Sequence, residues 1–167
     1  MHRRTLLLVT VASLAMSLTG ERVFAEDKND PALIKSLADA KVTLQQGLTA
    51  AAQHGQPISA KFELENGKLQ LSVYTAKDGK FSEVIVDHAT GKIEKTEAIT
   101  EGDDLTASKE QSAAMTKSKS DLKSAVDKSA SGARAISVTP GLKGGRAVAS
   151  VTVLKGQQFE TVEQPLD

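Results

Sequence analysis

Few side chains in this sequence are equipped for chemistry. Its 167 residues include no Cys and no Trp, and aromatic residues make up 3%. Thiolate nucleophiles, thiolate zinc sites, disulfides and aromatic base-stacking platforms are therefore out of reach. Beyond residue 25 only His54 and His88 remain as imidazoles. Neither sits in an H-E-x-x-H spacing or beside clustered carboxylates, so neither marks a metal site. His54 suits the negative end of a helix dipole. Serines are plentiful, but no G-x-S-x-G elbow is present. The run Gly141-Leu142-Lys143-Gly144-Gly145 lacks the G-K-[ST] ending and following helix of a phosphate loop and reads as a hairpin turn. Asp103-Asp104 read as solvated acids in a linker. Asp87, Thr90, Gly91 and Lys92 form a group in which Asp and Thr can accept hydrogen bonds from turn amides while Gly takes the left-handed conformation. That is a strand-ending turn. No catalytic, cofactor-binding or metal-binding residue is expected, and the chain is not expected to be an enzyme.

The elements that must carry these residues follow an address segment. His2 to Arg4 are basic, Thr5 to Leu18 are apolar, and Val23-Phe24-Ala25 places small residues at the cleavage positions. Residues 1–25 are thus expected to be a signal peptide cut after Ala25, with an apolar run of about 14 residues, short of the ~20 that span a bilayer. The expected location is periplasmic or secreted, with no stable membrane span after cleavage. Removing Arg3, Arg4, Arg22 and Glu21 leaves 18 basic and 20 acidic groups. So balanced a charge offers no field for gripping nucleic acid. The charge is unevenly shared, however: Glu26 to Leu105 carries 9 basic and 14 acidic groups, and Thr106 to Asp167 carries 9 and 6.

Shifted by 78 positions without a gap, the chain matches itself at Lys41/Lys119, Leu44/Leu122, Ile58/Ile136, Gly67/Gly145, Val73/Val151, Phe81/Phe159 and Val84/Val162. This spacing, longer than that of solenoid repeats, predicts two small tandem copies. The fold class expected is α+β, each copy being one helix packed on a small antiparallel sheet of three to four meander strands. In the first copy, 26–99, Asp30-Pro31 caps a helix over about 31–54 whose Leu33, Leu37, Leu44 and Leu48 recur at helical steps. From Ile58 the period becomes two, and Asn66-Gly67 fixes a hairpin that sets Leu64 opposite Leu69, Phe62 opposite Leu71 and Ala60 opposite Val73. Asp78-Gly79 turns into a third strand, in which Phe81 lies on the parity opposite to Val84, packed outside or turned in by a bulge. A fourth strand covers about 92–99.

Residues 100–107 read as a polar linker. The second copy, 108–167, is expected to have a helix over about 108–131 opened by the box Ser108-x-x-Gln111, then strands around Gly144-Gly145 and a third strand near 157–163. Pro140 suggests that its first strand is an edge or bulges. No fourth strand follows, so the third is left with an open edge or pairs with the fourth strand of the first copy.

The stretches Leu37-Ala38-Asp39-Ala40, then 60–68 (Ala60 to Lys68), and Val86-Asp87-His88-Ala89-Thr90-Gly91-Lys92 resemble the helix, first hairpin and closing D-x-x-T-G-K turn of the PepSY family. The second copy keeps the hairpin but lacks the closing turn. The resemblance implies an exported module of one helix on an antiparallel sheet that restrains peptidases. The function expected is non-enzymatic protein binding, the partner being an exported peptidase or other envelope protein held by edge-strand pairing. The alternative is a periplasmic small-ligand or metal carrier, its ligand lying between helix and sheet.

Overall fold

A computed structural model describes residues 30–167; the expected signal segment and the cleavage expected after Ala25 lie outside the described residues. The architecture is α+β, with four α-helices and one seven-stranded antiparallel sheet among the described residues. The helices are α1 (Pro31–Ser36), α2 (Leu44–Ala51), α3 (Gly102–Lys117) and α4 (Leu122–Ala130). The strands are β1 (Gln56–Glu65), β2 (Lys68–Lys77), β3 (Lys80–Val86), β4 (Ile93–Ile99), β5 (Arg134–Lys143), β6 (Arg146–Lys155) and β7 (Gln158–Pro165). Their spatial order is β4-β3-β2-β1-β5-β6-β7. One sheet therefore runs through both halves of the sequence.

The first hairpin has the expected register, with Leu64 opposite Leu69, Phe62 opposite Leu71 and Ala60 opposite Val73. Its turn places Asn66 at φ 51° and Gly67 at φ 76°, the pair of positive angles a type I′ turn requires. Phe81 lies opposite Ala76 in a β2–β3 ladder free of bulges, on the same face as Ile85. Alternation alone thus sends Ala60, Phe62, Leu71, Val73, Val84 and Val86 to one side of the sheet. All six are buried with Leu33, Leu37, Leu44, Leu48, Leu122 and Val126 of the helices, and with Val138, Ala149 and Val151 of the second hairpin. Helices α1, α2 and α4 cover this side. Helix α3 crosses the other side, where Ser59 Oγ donates to Gln111 Oε1 at 2.8 Å.

The helices depart from expectation. The single helix over 31–54 is interrupted after the 3-10 turn Leu37–Asp39, and α2 begins afresh at Leu44. Two causes act together. The backbone N–H groups of Lys41 and Val42 donate to the carbonyl of His88 at 2.9 and 3.0 Å, outside any helix ladder. Thr43 then forms a complete capping box with Gln46, which satisfies amides of the new first turn. The second helix, expected over 108–131, is likewise two: α3 starts six residues earlier, and α4 is capped by Asp121, whose side chain accepts from Ser124 N at 2.7 Å. Lys119 N and Ser120 N donate to Leu166 O between them. The stretch read as a linker, 100–107, is helical from Gly102 onward, with Asp103 and Asp104 in the first turn, where acids favour the positive helix end. Ser108 is accordingly a buried mid-helix residue and not a cap.

Pro140 lies in an interior strand, not at an edge. The β1–β5 ladder is short, pairing Ala60 with Val138 and Lys61 with Ser137. It ends two residues before the proline, which has no N–H to extend it. The bulge in β5 falls at Ala135/Ser137 instead. Among the described residues no helix is long and apolar enough to cross a membrane.

Candidate functional site

Because β1 joins β5 at the centre, β4 and β7 lie at opposite ends of the sheet. They do not pair with each other. Each presents one row of backbone N–H and C=O groups to the outside, since alternate residues of an edge strand point away from the ladder. The two edges differ. The β3–β4 register shifts between Ile85 and Val86, opposite Lys95 and Ile93, which leaves a bulge at Glu94. The exposed edge of β4 also carries Lys95 and Glu97, ion-paired at 2.6 Å. A bulge and a mid-strand lysine are devices that discourage a further strand.

Strand β7 has neither. Its ladder with β6 runs unbroken from Lys155 opposite Gln158 to Val148 opposite Pro165, and proline appears only at the last position. Phe159 and Val162 are half-buried. Glu160 and Glu163 are exposed and reach back to Lys155 and Lys143, each at 2.6 Å. Thr161 Oγ1 lies 3.2 Å from Thr152 Oγ1 across the ladder. Beyond β7, Leu166 is fully buried and its N–H donates to Ala147 O, which anchors the end of the chain and keeps the strand in place.

The turn residues singled out in the sequence form one closed unit. Asp87 Oδ1 accepts from Ala89 N at 2.8 Å and from Thr90 N at 2.6 Å. Those two bonds hold its carboxyl below the usual carboxylate range. Gly91 N donates to Asp87 O, and Asp87 N donates to Lys92 O, both at 2.8 Å. Gly91 takes φ 78°. Thr90 Oγ1 accepts from Lys92 N at 3.4 Å. Asp87 Oδ1 and Thr90 Oγ1 both serve the turn, and the turn in turn offers the His88 carbonyl that breaks the first helix. His88 Nδ1 is buried without a partner in the described residues. His54 Nδ1 lies 3.4 Å from Thr96 Oγ1.

Two features escaped the sequence reading. One is Arg134 at the start of β5. Its guanidinium donates to Leu37 O and Ala40 O at 2.9 Å and to Val42 O at 3.3 Å, and lies 5.5 Å from the ring centroid of Phe62. Burial pulls its pKa down. The other is an open polar groove of about 770 Å³ on the outer face, lined among others by Lys61, Glu63, Tyr74, Glu83, Glu97 and Asp104. Partial burial, reinforced by Glu63, pushes the Glu83 carboxyl upward, and burial with the neighbouring carboxylates pushes the Tyr74 hydroxyl upward. The wet parity of the first hairpin was the signal that these residues share a face. The described residues contain no group of three or more His, Asp or Glu side chains placed to hold a metal ion. No family model, no curated protein and no solved structure matches this chain.

Proposed function

We propose that this chain is an exported, non-enzymatic protein-binding module of the bacterial envelope, built from two PepSY-like copies of one plan, and that it takes an extended strand of its partner along β7. The partner class the reading favours is an exported peptidase, which such pairing restrains.

The observation that carries it is the contrast between the two sheet edges. Edge β4 is bulged and carries a mid-strand lysine, whereas β7 offers an eight-residue edge without bulge or lysine, whose charges are two glutamates and whose proline stands at its last position. Main-chain hydrogen bonds along such an edge supply affinity, and alternate side chains supply selection.

Support for two copies comes from the numbering of the ladders. Ala60 faces Val73 as Val138 faces Val151, and Glu65 faces Lys68 as Lys143 faces Arg146, each residue raised by 78. The register shifts at Pro57/Ser59 and Ala135/Ser137 keep the same offset. So do the helix interruptions: Lys41 and Val42 donate to His88 O where Lys119 and Ser120 donate to Leu166 O. The central pair Ala60–Val138 joins positions 78 apart, as expected for two copies related by a local two-fold at the seam. On this plan β7 corresponds to β3.

The test is an inhibition assay against the exported peptidases of the native host with the mature chain and two proline variants, Thr161→Pro and Val162→Pro. Adjacent amides alternate in direction, so one of the two removes an outward donor. Inhibition that is lost in that variant supports the reading. No effect of the wild-type chain on any exported peptidase removes the peptidase part, and equal inhibition by both proline variants removes the β7 edge.

A further inference from the structure

We infer that the segment received by β7 is an extended peptide in which two basic residues, three positions apart, are each followed by a β-branched or large apolar one, an inference that rests on the strand-addition reading. The sheet itself contains the template. In the first half β4 lies antiparallel on β3 with Ile99 opposite Phe81, Ala98 opposite Ser82, Glu97 opposite Glu83, Thr96 opposite Val84 and Lys95 opposite Ile85. Raised by 78, the five β3 positions are Phe159, Glu160, Thr161, Val162 and Glu163 of β7. Phe and Val are kept, while Ser82 and Ile85 give way to two glutamates.

A strand laid on β7 in the same register meets these five side chains in reverse order. Opposed residues of an antiparallel pair point to the same face, so each position can be matched in turn. Opposite Glu163 and Glu160 the fit is Lys or Arg; opposite Val162, a β-branched residue; opposite Phe159, a large apolar one. Read from its N-terminus, the partner segment is basic, β-branched, any, basic, apolar. Residues 158–167 contain Glu160, Glu163 and Asp167 and no Lys or Arg, so the strand is acidic within a half of the chain that is otherwise basic. The lysines now paired with Glu160 and Glu163 are themselves half-exposed or more, and such pairs hold their carboxylates weakly. A carboxylate has room for a second cation. A second copy of β7 in the same slot would bring no basic residue opposite Glu160 or Glu163, which makes a two-fold dimer the poorer occupant.

The experiment uses the mature chain and three nine-residue peptides with Ser-Ser at both ends and cores Lys-Val-Thr-Lys-Phe, Gln-Val-Thr-Gln-Phe and Glu-Val-Thr-Glu-Phe. Binding is followed by fluorescence anisotropy and by hydrogen exchange over residues 158–165. The expected result is that the lysine peptide protects β7 and binds about tenfold more tightly than the glutamate peptide, with the gap closing at high salt. The double variant Glu160→Lys, Glu163→Lys should reverse the order. If the glutamine peptide protects β7 as well as the lysine peptide does, the charge code is wrong and strand addition stands. If none of the three protects 158–165, or if the free chain is a dimer with β7 already protected, strand addition at this edge falls with it.

Discussion

Replacing Arg134 should loosen the joint between the two halves of the chain. Its guanidinium spans three carbonyls of the first helix interruption from a strand of the second half, with Nη1 and Nη2 at 2.9 Å from Leu37 O and Ala40 O. Hydrogen bonds to a charged donor contribute about 1.5–3 kcal/mol each in net terms. Stacking on Phe62 adds about 0.5–1 kcal/mol. Against this stands the desolvation that depresses the Arg134 pKa, which the variant no longer suffers. Arg134→Ala should therefore cost about 2–4 kcal/mol. Arg134→Met keeps the apolar stem over Phe62 and should lose slightly less. Arg134→Lys keeps the charge, but one ammonium cannot reach three carbonyls in a fixed fork, so about half of the loss should persist. Urea denaturation of a chain of residues 26–167 reads these differences as shifts of the midpoint at constant m-value. Exchange at the amides of Lys41 and Val42 should quicken in parallel. All three variants falling within about 0.5 kcal/mol of wild type would refute the joint.

Other outcomes follow from the caps and carboxylates. Thr43→Ala removes the side chain that opens α2 and should cost about 1 kcal/mol in the same denaturation assay. Asp87 and Asp121 have pKa values depressed by turn and cap amides. The folded state thus holds fewer protons, and their contribution is complete above the ordinary value of 3.8 and lost as the pH falls through the depressed ones. Asp87→Asn and Asp121→Asn should flatten the decline in stability between about pH 4 and pH 2. Glu83 behaves oppositely, because its folded pKa is raised. Ionised Glu83 weakens the fold above that raised value and ceases to do so as acid protonates it, so Glu83→Gln should stabilise the chain at pH 7 and lose this advantage on acidification.

The hairpins were legible in the sequence because their causes are local. Asn66-Gly67 dictates one turn, and the two-residue loop then dictates which of Phe62, Leu64, Leu69 and Leu71 face each other. The helix interruptions were not. Leu33, Leu37, Leu44 and Leu48 fit one straight stripe, and nothing between Ala40 and Thr43 breaks a helix by propensity. The cause is the His88 carbonyl, more than forty residues away, together with a cap at Thr43 whose partner Gln46 stands at the right spacing. Asp103-Asp104 misled in the other direction, since two acids suit a helix start as well as a linker. Whether the third strand of the second half pairs with 92–99 was left open by the sequence, and the strand order separates the two. That β1 and β5 would meet at the centre, placing β4 and β7 at the two ends, depends on contacts between strands 78 residues apart. Arg134 left one faint trace, a rare arginine heading a strand whose following residues are buried.

The most direct test of the β7 edge is residue-resolved hydrogen exchange on the isolated chain of residues 26–167 under monomeric conditions. Alternation is expected along 158–164: amides directed at β6 exchange slowly, those between them exchange at rates near an open chain, and β6 is protected on both sides. Slow exchange at every amide of this stretch in the monomer would mean that the edge is already covered, and would contradict strand addition at β7.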